Sequence, residues 1–163
     1  MGMEGAVKPA RPAKPVNRRE ANGFYHQVGA IFHAMRRLLL DRLALIGLAG
    51  AFGALARYAV QGRVNDLLGR PTLLGTLAVN LSGAFLLGLF LALTEERFVL
   101  SGHWRTVGAV GFLGAYTTFS TLMFESVDRL ETGDILTAIT NLGGSVLLGL
   151  VVTYLGLAAG RSL

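Results

Sequence analysis

The side chains able to do chemistry in this chain of 163 residues are few, and most of them interrupt apolar runs. Asn80 stands in Gly75-Thr76-Leu77-Ala78-Val79-Asn80-Leu81-Ser82-Gly83. Thr76 lies four residues before it and shares its helical face. An amide in such a place has two uses. It can bond a neighbouring helix, worth about 0.6 kcal/mol, or it can aim an N–H donor at a dehydrated anion. Arg57 closes Gly50-Ala51-Phe52-Gly53-Ala54-Leu55-Ala56-Arg57. A charge at mid-membrane costs ~2.5–3.5 kcal/mol, so Arg57 either snorkels to the interface or serves as an anion-attracting vestibule charge. A third run, Gly111-Phe112-Leu113-Gly114-Ala115-Tyr116-Thr117-Thr118-Phe119-Ser120-Thr121, sets two glycines before four hydroxyl residues. Glycine and β-branched threonine are poor helix formers, so a break is expected near Gly114–Thr117. Backbone freed at membrane depth is tolerated only when buried or lining a site, and free carbonyls there suit a small cation. The competing reading is a continuous helix whose hydroxyls bond back to the preceding turn. Glu125 follows Thr121 by four residues, and its default place is the interface. Thr137, Asn141 and Ser145 form a further polar stripe at i, i+4 and i+8.

What is missing narrows the function. The chain has no cysteine, which excludes disulfides, thiolate metal sites and cysteine nucleophiles. His26, His33 and His103 are scattered, and no His/Asp/Glu group has metal-ligand spacing. There is no nucleophile–base–acid set and no phosphate loop, so an enzyme is not expected.

The elements that must position these residues follow from the gaps between charges. Only 15% of the residues are charged, against about 25% in a soluble domain. Uncharged stretches run over 43–56, 71–94, 106–124 and 135–160. A helix crossing the hydrocarbon needs roughly 20 apolar residues. Four spans are therefore expected near 43–61, 72–94, 105–127 and 135–158, the first reaching past Arg57. Short connections make consecutive spans antiparallel neighbours. Four helices enclose no aqueous cavity of their own, so a transport site would form along a groove or between subunits. Gly47, Gly50 and Gly53 offer a smooth face for close helix approach. The chain is read as a multi-pass protein of the cell (inner) membrane.

Residues 1–42 hold eight Lys and Arg against three acidic residues, whereas 43–163 hold seven of each. The whole excess of +5 thus belongs to a short arm beside apolar spans, which points to a lipid surface rather than nucleic acid. Residues 4–23, with Pro9, Pro12 and Pro15 among basic residues, read as disordered. Residues 24–40 place Phe24, Val28, Ile31, Phe32, Met35, Leu38 and Leu39 at helical spacing and read as an interfacial amphipathic helix. The domain division is an arm over 1–42 and a four-helix membrane domain over 43–160. Flanking arginines favour both termini inside. In the body alone, Arg97, Arg105 and Arg161 balance Arg63, Arg70 and Arg129.

Three motifs in order, Gly53-Ala-Leu-Ala-Arg57-Tyr58, Gly75-Thr-Leu-Ala-Val-Asn80, and Gly111-Phe-Leu-Gly-Ala-Tyr-Thr-Thr-Phe119-Ser-Thr121 with Glu125, resemble the Fluc/CrcB fluoride channel family over about residues 43–160. The resemblance implies an all-α integral membrane protein with four transmembrane helices per subunit, the third broken, assembled as an antiparallel dual-topology dimer with two pores. It implies passive export of fluoride. Asn80 and Phe119 would line the pore, with Thr76, Ser120, Thr121 and Ser145 contributing hydroxyls and Arg57 near the vestibule. Backbone carbonyls of Gly114 and Thr117 would hold a structural sodium ion at the dimer interface. A homodimer is implied, with a heteromeric pair as the alternative. The family usually has a second Phe where Leu122 stands, and often an aromatic at Asn141.

The physics of the ion agrees. Fluoride is small and strongly hydrated, so close donors must replace its water without binding it too tightly to leave. Amide and hydroxyl donors and positive aromatic edges do this without a fixed charge. A small dual-topology proton-coupled multidrug exporter is the runner-up. It would need an intramembrane carboxylate in a substrate pocket, and the first span has none. A non-conducting assembly factor, its glycine faces serving only packing, is the third reading.

Overall fold

The computed structural model describes residues 18–69, 72–96 and 100–163, with side chains described from residue 29 onward. The described residues are mostly helical, joined by short turns and irregular residues, without a strand. They form α1 (Arg18–Leu67), α2 (Leu73–Glu96), α3 (Gly102–Thr106), a π-helical segment (Val107–Leu113), α4 (Gly114–Tyr116), α5 (Phe119–Glu131) and α6 (Ile135–Ser162). Four stretches are long and apolar enough to cross a membrane: Gly29–Leu67, Leu73–Glu95, Gly102–Glu131 and Ile135–Ser162. This is a multi-pass membrane protein. The third crossing is assembled from α3, the π-helical segment, α4 and α5.

The described residues divide into two compact units, one ending at Leu39 and the other running from Leu40 to Leu163. Most of the segment read as disordered, and the flanking Arg70 and Arg97, lie outside the described residues. Arg18–Gly23, read as disordered, are instead the first residues of α1. No proline or glycine pair punctuates the chain between Arg18 and Leu67, and arginine is a good helix former. Helical structure therefore extends well beyond the first uncharged stretch in both directions.

In the second unit, glycines set the contacts. The first crossing meets the third where Gly53 faces the Phe112 carbonyl and Gly50 faces Gly111 and Ala115. Gly47, expected to share that face, has open space before it. Along α2 and α6, Gly88 meets the backbone at Thr153 and Leu157, while Gly156 meets the backbone at Phe85 and Leu89. A Cβ at Gly53, Gly88 or Gly156 would overlap backbone, which cannot move aside as a flexible side chain would. Arg105 pairs with Glu95, joining the start of the third crossing to the end of α2.

The turn from α5 to α6 is short. Gly133 takes a left-handed φ of 79°, the conformation glycine adopts without a steric penalty. Asp134 N–H donates to Arg129 O at 2.8 Å. The Asp134 carboxylate then caps α6 by accepting from Thr137 N–H at 3.3 Å.

Candidate functional site

The third crossing is interrupted, and the interruption has an identifiable cause. Thr117 (φ −81°, ψ 157°) and Thr118 (φ −146°, ψ 114°) are extended. In an unbroken helix Thr118 N–H would donate to Gly114 O. Here it donates to Asn80 Oδ1 on α2 at 2.8 Å. Asn80 Nδ2 in turn donates to Thr118 O at 3.0 Å. This two-way pairing fixes which end of the amide is oxygen, because an N–H demands an acceptor and a carbonyl demands a donor. Asn80 thus replaces the helical ladder at one residue of another helix.

Two carbonyls are released as a result. Gly114 O has lost its ladder donor to Asn80. Thr117 O stands one residue before the cap of α5, outside its ladder. Thr118 is that cap, its Oγ1 accepting from Thr121 N–H at 3.2 Å. The same hydroxyl lies 2.9 Å from Thr121 Oγ1 and 3.2 Å from Ser120 Oγ. Thr118 is therefore the hub of this cluster, a role that its place in the sequence does not reveal. The signal was the Thr-x-x-Thr spacing at a helix start, an N-cap pattern that shows only once the break is known. Back-bonding occurs as well: Thr117 Oγ1 donates to Leu113 O at 3.1 Å. The break and the back-bonded hydroxyl coexist.

Beside the break lies a groove of about 330 Å³. Asn80, Gly114, Thr117, Phe119 and Ser145 all line it, as do Thr118 and Leu122. No lining residue carries a charge. Phe119 is 72% exposed along this opening, whereas Leu122 is 5% exposed. Ser145 is buried, and its Oγ has no hydrogen-bond partner. One N–H of Asn80 remains after the bond to Thr118 O, since the amide carries two. Gly83 backs the break so closely that a Cβ would overlap Thr117 Cγ2.

Other expected site residues lie elsewhere. Thr76 is 1% exposed and does not line the groove. Its hydroxyl donates to Glu125 Oε1 at 2.6 Å and accepts from Gln61 Nε2 at 3.0 Å. Thr76 thus ties α1, α2 and α5 together. Glu125, given the interface as its default place, accepts a bond from inside the bundle. Ser120 and Thr121 join the hydroxyl cluster without lining the groove. Arg57 is half-buried on α1 and is not among the lining residues. The stripe on α6 divides. Thr137 is at the cap, Asn141 Nδ2 donates to Ser126 Oγ at 2.9 Å, and only Ser145 reaches the groove.

The sequence of this membrane domain has many relatives. Residues 44–157 match the family described as CrcB-like protein, Camphor Resistance (CrcB). The chain belongs to the CrcB family. A relative from Solidesulfovibrio magneticus, named fluoride-specific ion channel FluC, is 46% identical over 123 residues, covering 76% of this chain and 98% of the relative. Proteins of the same name from Hydrogenovibrio crunogenus and Geotalea daltonii are 44% and 43% identical, over 74% and 75% of this chain. The family match thus takes in the broken crossing, Asn80 and the groove, and it begins beyond the basic arm.

Proposed function

We infer that this CrcB-family chain is a passive fluoride-specific ion channel of the cell membrane, relieving the cytoplasm of fluoride, and not an enzyme. The observation that carries the reading is the uncharged groove at the helix break, where Asn80, Phe119 and Ser145 converge, in a chain whose relatives bear that name. The spare Asn80 N–H and the buried Ser145 hydroxyl can replace water around a small anion. The exposed edge of Phe119 adds a positive ring perimeter. With no charged residue lining the groove, the ion meets donors strong enough to admit it and weak enough to release it. Ser120 and Thr121 extend the hydroxyl path beyond the groove, and Arg57 draws anions at the vestibule. Thr76 acts by holding Glu125 and the helix that carries Asn80.

One chain offers the groove open on a side. A second copy of this chain inserted in the opposite orientation would close it, giving an antiparallel dual-topology homodimer. A heteromeric pair is the alternative assembly. The released Gly114 and Thr117 carbonyls fit a sodium ion, a hard cation that takes oxygen ligands, at the interface of such a dimer. Bound there, sodium supplies a fixed positive charge and a link between the two subunits.

Fluoride efflux from liposomes holding the purified protein tests the function. Rapid efflux of fluoride with little chloride loss is expected, and no efflux from folded, reconstituted protein would overturn it. The natural absence of cysteine makes Leu68→Cys, at an exposed position, a clean reporter of orientation. Labelling from both sides of intact cells supports dual topology, and labelling from one side alone refutes it.

A further inference from the structure

Asn80 holds the groove side of the break, and a second contact from α2 holds its far side. Tyr116 is the last residue of α4, immediately before the extended pair. It is 6% exposed, and its hydroxyl lies 2.8 Å from Ser82 Oγ. Ser82 Oγ carries one hydrogen, which it donates to Ala78 O at 2.7 Å. The phenol O–H is therefore the donor to Ser82. The Tyr116 ring stacks on Phe112 at a centroid distance of 6.1 Å. It also crosses Gly83, where a Cβ would stand 3.0 Å from its Cδ1. From α1, Gly53 presses on the Tyr116 backbone nitrogen, which a Cβ there would approach to 3.1 Å. Neither Tyr116 nor Ser82 lines the groove. At 100° per residue, Asn80 and Ser82 project about 160° apart on α2, with Gly83 between them. Residues 116–118 thus straddle α2 and are gripped from both sides.

We propose that Tyr116 and Ser82 are positioning residues for ion selection: their hydrogen bond fixes how wide the groove stands open at the break. The Asn80 pairing alone is a pivot, about which the end of α4 can turn. A second bond, across Gly83, removes that freedom. A phenylalanine would fill the same space without a polar group to answer, whereas a buried phenol needs a partner. The phenol O–H therefore adds orientation rather than bulk. Orientation matters because Gly114, Thr117 and Thr118, all within two residues of Tyr116, line the groove. A binding site works only when its lining is held to within about 0.5 Å by supporting packing and hydrogen bonds. Fluoride is smaller than chloride, so a groove that widens loses its preference for fluoride. The inference rests on the channel reading for its ion, though not for the hold that the bond has on the break.

Fluoride and chloride efflux are measured separately from liposomes holding the full-length chain. Tyr116→Phe should lower the fluoride-to-chloride ratio about tenfold, the worth of one net hydrogen bond. Ser82→Ala should lower it equally, and the two together no further, because they share one bond. Ser82→Thr should keep the wild-type ratio, since its hydroxyl still accepts. A lower unfolding temperature with the ratio unchanged overturns the proposal, because the bond then serves stability alone. Additive losses in the double variant overturn it too. Amide exchange over residues 114–121 is followed in the same proteins and should quicken about tenfold in Tyr116→Phe. Exchange equal to wild type refutes the hold of the bond on the break. Wild-type protein that passes no fluoride while this contrast in exchange stands refutes the channel reading alone.

Discussion

Helix α2 and the third crossing are both apolar helices interrupted by polar residues, yet α2 is continuous and the third crossing is not. The difference lies in where each polar group sends its bond. Ser82 and Thr94 on α2 turn their hydroxyls back onto their own helix, to Ala78 O and Phe90 O at 2.7 and 2.8 Å. Such back-bonding leaves the ladder intact. In the third crossing, Thr117 does the same without harm. The break comes at the next residue, where a backbone N–H, rather than a hydroxyl, is taken by a side chain of α2. A helix tolerates many hydroxyls, but it cannot lend out a ladder donor and stay closed. The π-helical turns just before the break loosen the same crossing from the other side.

Four substitutions break or sharpen that contrast. The largest effect is expected from Asn80→Asp. The carboxylate still accepts from Thr118 N–H, but it faces Thr118 O without a donor and adds negative charge to the groove. Fluoride flux should fall at least a hundredfold, and a carboxylate facing Thr118 O in place of the amide donor should cost about 1–3 kcal/mol of stability. Flux assays and thermal unfolding in detergent measure the two losses, and unchanged flux would remove Asn80 from the pathway.

Gly83→Val comes next. Its side chain must displace Thr117, so the break should repack at a cost of about 1–3 kcal/mol, with a clear loss of flux. Wild-type unfolding temperature in this variant would mean that the break is not backed by Gly83.

Ser145→Ala separates pore from scaffold. Its hydroxyl makes no bond within the chain, so stability should move by less than about 0.5 kcal/mol. Losing one donor to the ion should still lower flux by up to about tenfold. Equal flux from the alanine protein would take Ser145 off the path.

Leu122→Phe is the smallest change. It sets a ring edge near Phe119 at a position that lines the groove, and flux should rise by a few-fold, in keeping with an aromatic contact of about 0.5–1.5 kcal/mol. A null or lower rate would mean that the path bypasses this position, or that a partner subunit supplies the aromatic.

Much of this was legible in the chain itself. Uncharged stretches predicted four crossings, and the structure has four helical stretches long and apolar enough to cross, each containing or closely matching an expected span, the first running much longer over Gly29–Leu67. The glycine and threonine run predicted a break near Gly114–Thr117, and the extended residues are Thr117 and Thr118. The helix bounds were less legible. Charge limits what can sit in hydrocarbon, not what can be helical, so α1 extends through Arg42 and Arg36 to Arg18.

Partners were not legible at all. Thr76 was grouped with Asn80 because the two share a face, but burial commits it to Glu125 and Gln61. Asn141 was grouped with Ser145, yet it bonds Ser126. Residue type and spacing alone determined that the chain crosses a membrane four times, where its third crossing is weak, and which side chains are too polar to lie in lipid without a reason. These are sums over neighbouring residues, and neighbours in sequence suffice for them. Tertiary structure decided which polar group answers which, because Asn80 and Thr118 are 38 residues apart and Thr76 and Glu125 are 49 apart. Only packing at the glycine faces brings such groups within hydrogen-bonding distance. That same packing turns an amide with two possible uses into the clip that opens the helix beside the groove.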